Sequence, residues 1–282
     1  MEITWAVKYI TEFLATALLL ILGNGSVANV DLKGTKGYNS GWIIIAFGYG
    51  FGVMMPALMF GNISGNHINP AFTFALAVSG LFPWEHVAPY IIAQFLGAIF
   101  GQLVVVGVYG PYFRKTENPN PILGSFSTIS ALDDGSVESR KPSLINGFAN
   151  EFVGSFVLFF GAMALTKNFF GSELVGKLVA TGFDKTAAET QVAPFISGSL
   201  AVAHLGIGFL VMTLVASLGG PTGPGLNPAR DLGPRLVHHF LPKSVLGQAK
   251  GDSKWWYAWV PVVAPILAGI VAVALFKYLY IK

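Results

Sequence analysis

The sequence predicts an all-α membrane protein: six transmembrane helices plus two re-entrant half-helices, arranged as an inverted internal repeat. Three observations predict it. Charged residues make up only 11% of the chain and apolar residues 53%, whereas a soluble domain carries about 25% charged residues. Apolar segments near 6–29, 42–60, 86–109, 144–166, 195–217 and 255–281 are each long enough to cross about 30 Å of hydrocarbon at about 1.5 Å per residue. The triplet Asn-Pro-Ala occurs at Asn69-Pro70-Ala71 and again at Asn227-Pro228-Ala229, each time in a Gly/Pro-rich stretch lying between apolar segments.

The six spans carry the usual membrane signatures. Tyr9, Trp42, Trp84, Tyr109, Tyr112 and the cluster Trp255, Trp256, Tyr257, Trp259 fall at predicted ends, where aromatic rings favour the headgroup level. Gly48/Gly52 and Gly97/Gly101 have the spacing that lets helices approach closely in lipid. The apolar start has the outline of a signal peptide, but Glu12 interrupts it and the rest of the chain is as apolar, which favours a retained first span. A net charge of +3 gives no basis for nucleic-acid binding, and the absence of cysteine excludes a disulfide framework or a thiolate metal site. The adjacent His238 and His239 cannot share one helix face and are expected at the interface rather than on a metal. No cofactor is implied, and the Gly-Lys-Ser/Thr loop that would cradle a nucleotide phosphate is missing.

Between the second and third spans, residues 61–85 are too apolar for a water-exposed loop, and their helical part, about 70–79, is too short to span. Residues 219–241 have the same form. Pro at the first turn of a helix loses no hydrogen bond, and Asn just before it is a good cap. Each triplet therefore starts a half-helix, capped by Asn69 or Asn227. Residues 30–41 read as a short polar loop, 110–143 as a long exposed loop, and 167–194 as a charged connection with a short surface helix.

Glu12-Phe13 opens the first span and Glu151-Phe152 the fourth, so the chain divides into a first repeat (about 1–110), the 110–143 loop and a second repeat (about 144–282). Three spans per half is an odd number, so the halves are inverted and their broken helices meet near the midplane. Irregular backbone at that depth must be covered by protein or touch water; two such loops most simply line one aqueous path. Their half-helices aim positive ends at a common point. Arg230, three residues after Asn227, suits a pore wall, with an ion pair to Asp231 as the plain structural alternative. Glu12 and Glu151 suit scaffold carboxylates that accept backbone N–H bonds from the loops, with a proton relay as the rival role. His67 lines the path through its backbone or is a packed ring. His204 and Ser199 lie five residues apart on different helix faces with no third orienting group, which argues against a nucleophilic site.

With both triplets, the paired glutamates and the Arg230 spacing, the chain resembles the aquaporin (major intrinsic protein) family over nearly its whole length. Asp231 directly after Arg230, within NPARDLGPR, resembles the glycerol-facilitator branch. The resemblance implies passive passage of glycerol and water, with ions and protons excluded. It also implies a homotetramer in the plasma (cytoplasmic) membrane with cytoplasmic termini. The distribution of Lys and Arg outside the 219–235 motif points the other way, with six on the side of the termini and nine opposite. The resemblance places the narrowest point at Tyr49, Val215, Pro224 and Arg230, where well-known glycerol facilitators have Trp, Gly, Phe and Arg. It assigns pore carbonyls to Gly65, Asn66, His67, Pro224 and Gly225, and loop support to Glu12, Glu151 and Asp231. One ring and a Pro in place of two rings suggest a wider filter, with dihydroxyacetone, urea, hydrogen peroxide and undissociated lactic acid as further candidate solutes. A proton-coupled transporter, an intramembrane enzyme and a non-conducting relative are the competing readings.

Overall fold

The computed structural model describes residues 3–169, 178–223 and 225–281. Helices dominate them: α1 (Trp5–Asp31), α2 (Trp42–Ser64), α3 (Pro70–Val78), α4 (Val87–Lys115), α5 (Pro119–Gly124), α6 (Arg140–Phe169), α7 (Lys185–Leu218), α8 (Pro228–Phe240), α9 (Lys243–Leu246) and α10 (Val260–Tyr280). Among the described residues six helices are long and apolar enough to cross a membrane: α1, α2, α4, α6, the Gly198–Leu218 part of α7, and α10. The two short helices that follow the triplets, α3 and α8, stand between them.

The half-helices begin as local chemistry dictates. Asn69 caps α3 by accepting from the Ala71 N–H at 3.0 Å, and Asn227 caps α8 by accepting from Ala229 and Arg230 at 3.0 and 3.2 Å. Proline occupies the first turn of each. The entry to α3 turns at Gly65, which ends α2 at φ 84°, a conformation that suits a residue without Cβ.

Packing follows the repeat. In the first half α1 lies against α2 and α4, and in the second half α6 lies against α7 and α10. The halves are joined by α2 against α7, and each half-helix crosses over: α3 packs on α10, and α8 on α4. Small residues permit the close crossings. A Cβ on Gly97 or Gly101 of α4 would strike the Phe13 or Ala17 carbonyl of α1. A Cβ on Gly50 of α2 would lie 2.7 Å from Met212 Cβ of α7. Outward faces carry exposed apolar side chains such as Phe47, Phe51, Met55 and Phe100, the solvent preference reversed as lipid requires.

Two connections and the start of the last span differ from the sequence-based expectation. Residues 110–143 are not simply exposed: α4 continues to Lys115, α5 follows, and Ser125–Ala131 folds into the protein. There Ile129 and Ala131 donate backbone bonds to Thr222 and Pro221, at 3.1 and 2.8 Å. Ser125, Ser127, Thr128 and Ser130 are buried; their hydroxyl-rich composition reads as solvent-facing, but protein groups satisfy the segment. The charged residues from Lys185 onward form the first turns of a long α7 capped by Asp184, rather than a separate surface helix; part of the 167–194 connection, 170–177, lies outside the described residues. The last span starts at Val260 and not near 255. His238 is also misplaced by the sequence reading. It is buried beside Phe126 and hydrogen-bonded to Ser253 at 2.8 Å, whereas His239 is exposed and accepts from the Trp255 indole.

The inward fold of 125–131 is held by a buried ion pair on α8. Arg235 meets Asp231 at 2.8 Å, with both side chains fully buried. Asp231 accepts from the Thr128 N–H and hydroxyl, both at 2.7 Å. Arg235 donates to the Thr128 and Ser253 carbonyls, also at 2.7 Å. Each polar group is paired, as a buried charge requires. Replacing Arg235 by Met leaves Asp231 without its cation. Thermal unfolding followed by the intrinsic tryptophans should show a destabilisation of about 3–5 kcal/mol, the usual consequence of orphaning a buried charge; an unchanged midpoint contradicts this role.

Candidate functional site

The two loops entering α3 and α8 meet inside the bundle. Three residues there hold positive φ without being glycine: Asn66 at 50°, Ile68 at 45° and Leu226 at 51°. For Ile in particular this conformation is strained. The strain is held by hydrogen bonds. Glu12 accepts from the His67 and Ile68 N–H groups at 2.9 and 2.8 Å. Glu151 accepts from those of Gly225 and Leu226 at 3.0 and 2.6 Å. Hydroxyls complete the match: Ser64 donates to Glu12 at 2.8 Å, and Thr222 to Glu151 at 3.0 Å. Gln94 adds a bond to Glu12 at 2.8 Å. Every contact offers a hydrogen to the carboxylate, the arrangement an acceptor-only group demands. Neither glutamate lines the large cavity beside these loops or the smaller one next to it.

With the backbone so turned, the Ile68 and Leu226 carbonyls face the opposite half. Asn69 Nδ2 donates to the Leu226 carbonyl at 2.8 Å, and Asn227 Nδ2 donates to the Ile68 carbonyl at 2.7 Å. The N-terminal tips of α3 and α8 are therefore tied together by a reciprocal pair of bonds. Each amide group keeps one N–H beyond this bond.

Beside the tips runs a cavity of about 770 Å³. It is lined by Gly65, Asn66, His67, Asn69, Gly225 and Asn227 near the tips, and by Tyr49, Val215 and Arg230 at one end. A smaller cavity of about 170 Å³ lies beyond, lined by Asp31, Trp42, Thr128 and Gly220 among others. Tyr49 and Arg230 are the two residues common to both linings among the described residues. The two cavities therefore adjoin at these two side chains. Arg230 donates from Nη1 to the Phe126 carbonyl at 3.1 Å and from Nη2 to the Tyr49 hydroxyl, with its guanidinium 4.9 Å from the Tyr49 ring. Its Nε–H has no partner among the described residues. The Val215 backbone is fixed by the Trp42 indole, which donates to its carbonyl at 2.7 Å.

Of the four residues expected at the narrow point, the structure brings Tyr49, Val215 and Arg230 to one place, and Pro224 lies outside the described residues. Asp231 is paired with Arg235, not with Arg230, which leaves the Arg230 guanidinium to the Phe126 carbonyl and the Tyr49 hydroxyl. The His67 ring packs among Phe72, Phe82 and Tyr90 and bonds Thr73 at 3.1 Å, while the residue also borders the cavity. His204 lies in the cavity wall with its ring against Gly61. Sequence reasoning missed Asn24, Gln94, Gln102 and the Phe126 carbonyl. The first three are uncharged polar residues inside apolar spans, and a buried polar side chain needs a partner; that was the available signal. The Phe126 carbonyl left none, because it belongs to the inward-folding segment.

The chain matches the family model described as Major intrinsic protein over residues 2–180 and 168–276. It is 62% identical over 290 residues to the glycerol facilitator-aquaporin gla of Lactococcus lactis subsp. cremoris, covering 100% of both chains. It is 44% identical over 283 residues to the glycerol uptake facilitator protein-like 5 of Lactiplantibacillus plantarum, covering 98% of each. The X-ray structure of the aquaglyceroporin from Plasmodium falciparum superposes with a TM-score of 0.68 at 24% identity, over 99% of this chain and 97% of that one; this is a likeness of fold.

The carboxylate clamp predicts a specific loss. In Glu151→Gln one acceptor oxygen becomes an NH₂ group facing an N–H. The variant should lose about 1–3 kcal/mol, the cost of a buried unpaired group, and amide exchange should rise at Gly225 and Leu226. Exchange at wild-type rates would contradict the clamp.

Proposed function

The chain belongs to the major intrinsic protein family, and on that premise we propose that it is a passive channel for glycerol, water and other small uncharged solutes that excludes ions and protons. The family is one of channels rather than of enzymes. The observation that carries the reading is the reciprocal bonding of Asn69 and Asn227 beside one long cavity. It aims the positive ends of two half-helices, and one spare amide N–H from each asparagine, at the same point of the path.

The mechanism follows from donors and acceptors. A solute entering loses hydrogen bonds to water, and the wall must replace them. Solute hydroxyls donate to carbonyls of the loop residues Gly65, Asn66, His67 and Gly225, with Pro224 completing this set. They accept from Arg230 and from the spare N–H groups of Asn69 and Asn227. The CH groups of the solute pass the Tyr49 ring and Val215. Water at the tips accepts from both asparagines, so its hydrogens point away from the tips and a continuous proton-conducting file is broken. The helix dipoles and Arg230 disfavour cations. Glu12 and Glu151 bind only donors and stand off the cavity, which supports a scaffold role over a proton relay. Dihydroxyacetone, urea, hydrogen peroxide and undissociated lactic acid fit a wall with one ring and one Val as additional solutes. The working form is a homotetramer in the plasma membrane with cytoplasmic termini, supported by family membership and by the apolar outer faces.

Stopped-flow scattering of proteoliposomes tests this: glycerol should equilibrate without an energy source, and an imposed pH gradient should not concentrate it. Accumulation driven by that gradient would instead favour a coupled transporter. Arg230→Ala should widen the constriction and raise cation or proton leak; unchanged leak and solute ranking count against Arg230. Pro224→Phe should favour glycerol over bulkier polyols, and an unmoved ranking would remove Pro224 from the constriction.

A further inference from the structure

The constriction rests on a buried network that reaches into α1. Asn24 is fully buried and outside both cavity linings. Its Oδ1 accepts from the Tyr49 hydroxyl at 2.5 Å, and its Nδ2 donates to Gln102 Oε1 at 2.6 Å and to the Phe126 carbonyl at 3.0 Å. Gln102 in turn donates to the Ser125 carbonyl at 3.2 Å. The Phe126 carbonyl that Asn24 uses is the one that Arg230 uses.

These contacts leave no freedom in the proton positions. Reversing the Asn24 amide would set its oxygen against two acceptors, the Phe126 carbonyl and Gln102 Oε1. Gln102 cannot reverse either, because its NH₂ group serves the Ser125 carbonyl. Asn24 therefore presents oxygen to Tyr49, and the Tyr49 hydrogen is directed at Asn24. A lone pair on the same phenol oxygen receives Arg230 Nη2. A hydroxyl has one hydrogen, so Tyr49 has none to give to a passing solute.

We propose that Asn24 is a positioning residue that sets the solute preference of the constriction, by anchoring Tyr49 and, through Tyr49 and the shared Phe126 carbonyl, Arg230. This rests on the reading of the chain as a glycerol channel. With the anchor in place, Tyr49 offers polyols an apolar ring edge and an acceptor-only oxygen, and Arg230 is the donor at the narrow point. With it gone, the Tyr49 ring and the Arg230 guanidinium can move into the lumen. That obstructs a three-carbon polyol more than it obstructs water.

The test is the glycerol-to-water permeability ratio of purified protein in proteoliposomes, measured for wild type, Asn24→Leu, Tyr49→Phe and the double variant. Asn24→Leu and Tyr49→Phe should each lower the ratio about fivefold, the factor corresponding to one net hydrogen bond. The double variant should fall no further than the lower single one, because both changes break the same link. A ratio at the wild-type value in either single variant, or effects that multiply in the double, overturn the proposal. Asn24→Ser, whose hydroxyl is too short to reach Tyr49, replaces Asn24→Leu if the latter fails to assemble. Tyr49→Phe deletes a single oxygen, and an unchanged ratio there is decisive alone. A wild type that passes no glycerol would defeat the channel reading itself, whereas a conducting wild type with insensitive ratios defeats this inference only.

Discussion

Irregular backbone inside a membrane survives only where each N–H and C=O finds a partner. Here the loops before α3 and α8 find theirs in two carboxylates, one per half of the chain. Glu12 and Glu151 each grip two successive N–H groups, and that grip holds Ile68 and Leu226 in the left-handed conformation. The turned backbone presents the two carbonyls that receive Asn227 and Asn69. Without the carboxylates the strained loops could relax, the half-helices would lose their common point, and the path beside them would lose its wall.

A second layer of polar structure surrounds the point where the two cavities adjoin. It is asymmetric, as the path itself is. On the first half, α1 and α4 supply Asn24 and Gln102; on the second, α8 supplies Arg230; the segment 125–131 lies between and serves both. Asp231 and Arg235 pin that segment from behind. One short stretch of α8 thus carries a residue that borders both cavities and a pair that holds the segment 125–131. This explains why a charged run lies at membrane depth: each charge is either paired or directed at the conducting space.

The parts legible in the sequence are those whose physics is local. Pro70 and Pro228 at first helical turns, with Asn69 and Asn227 before them, need no tertiary contact to be read as capped helix starts. The six spans follow from apolar length, and the inversion from three spans per half. Glu12 and Glu151 stood out as acids in apolar surroundings. What could not be read depends on contacts distant in sequence. The serines of 125–130 resemble a solvated loop until their hydrogen-bond partners are known. His238 resembled an interfacial residue because its neighbour Ser253 is joined to it only by the fold. Asn24 lies in a run of small and apolar residues, and its importance emerges only when Tyr49 and Phe126 are placed against it.

The central claim is that two capped half-helices meet tip to tip beside a wet column. A crystal structure of the protein soaked in glycerol, at a resolution that orders water, tests it most directly. A continuous file of water and glycerol oxygens should run from the larger cavity to the smaller, with one oxygen accepting from both Asn69 and Asn227 and another from Arg230. Side chains packed dry between Asn69 and Asn227, or asparagines too far apart to share one oxygen, would contradict it.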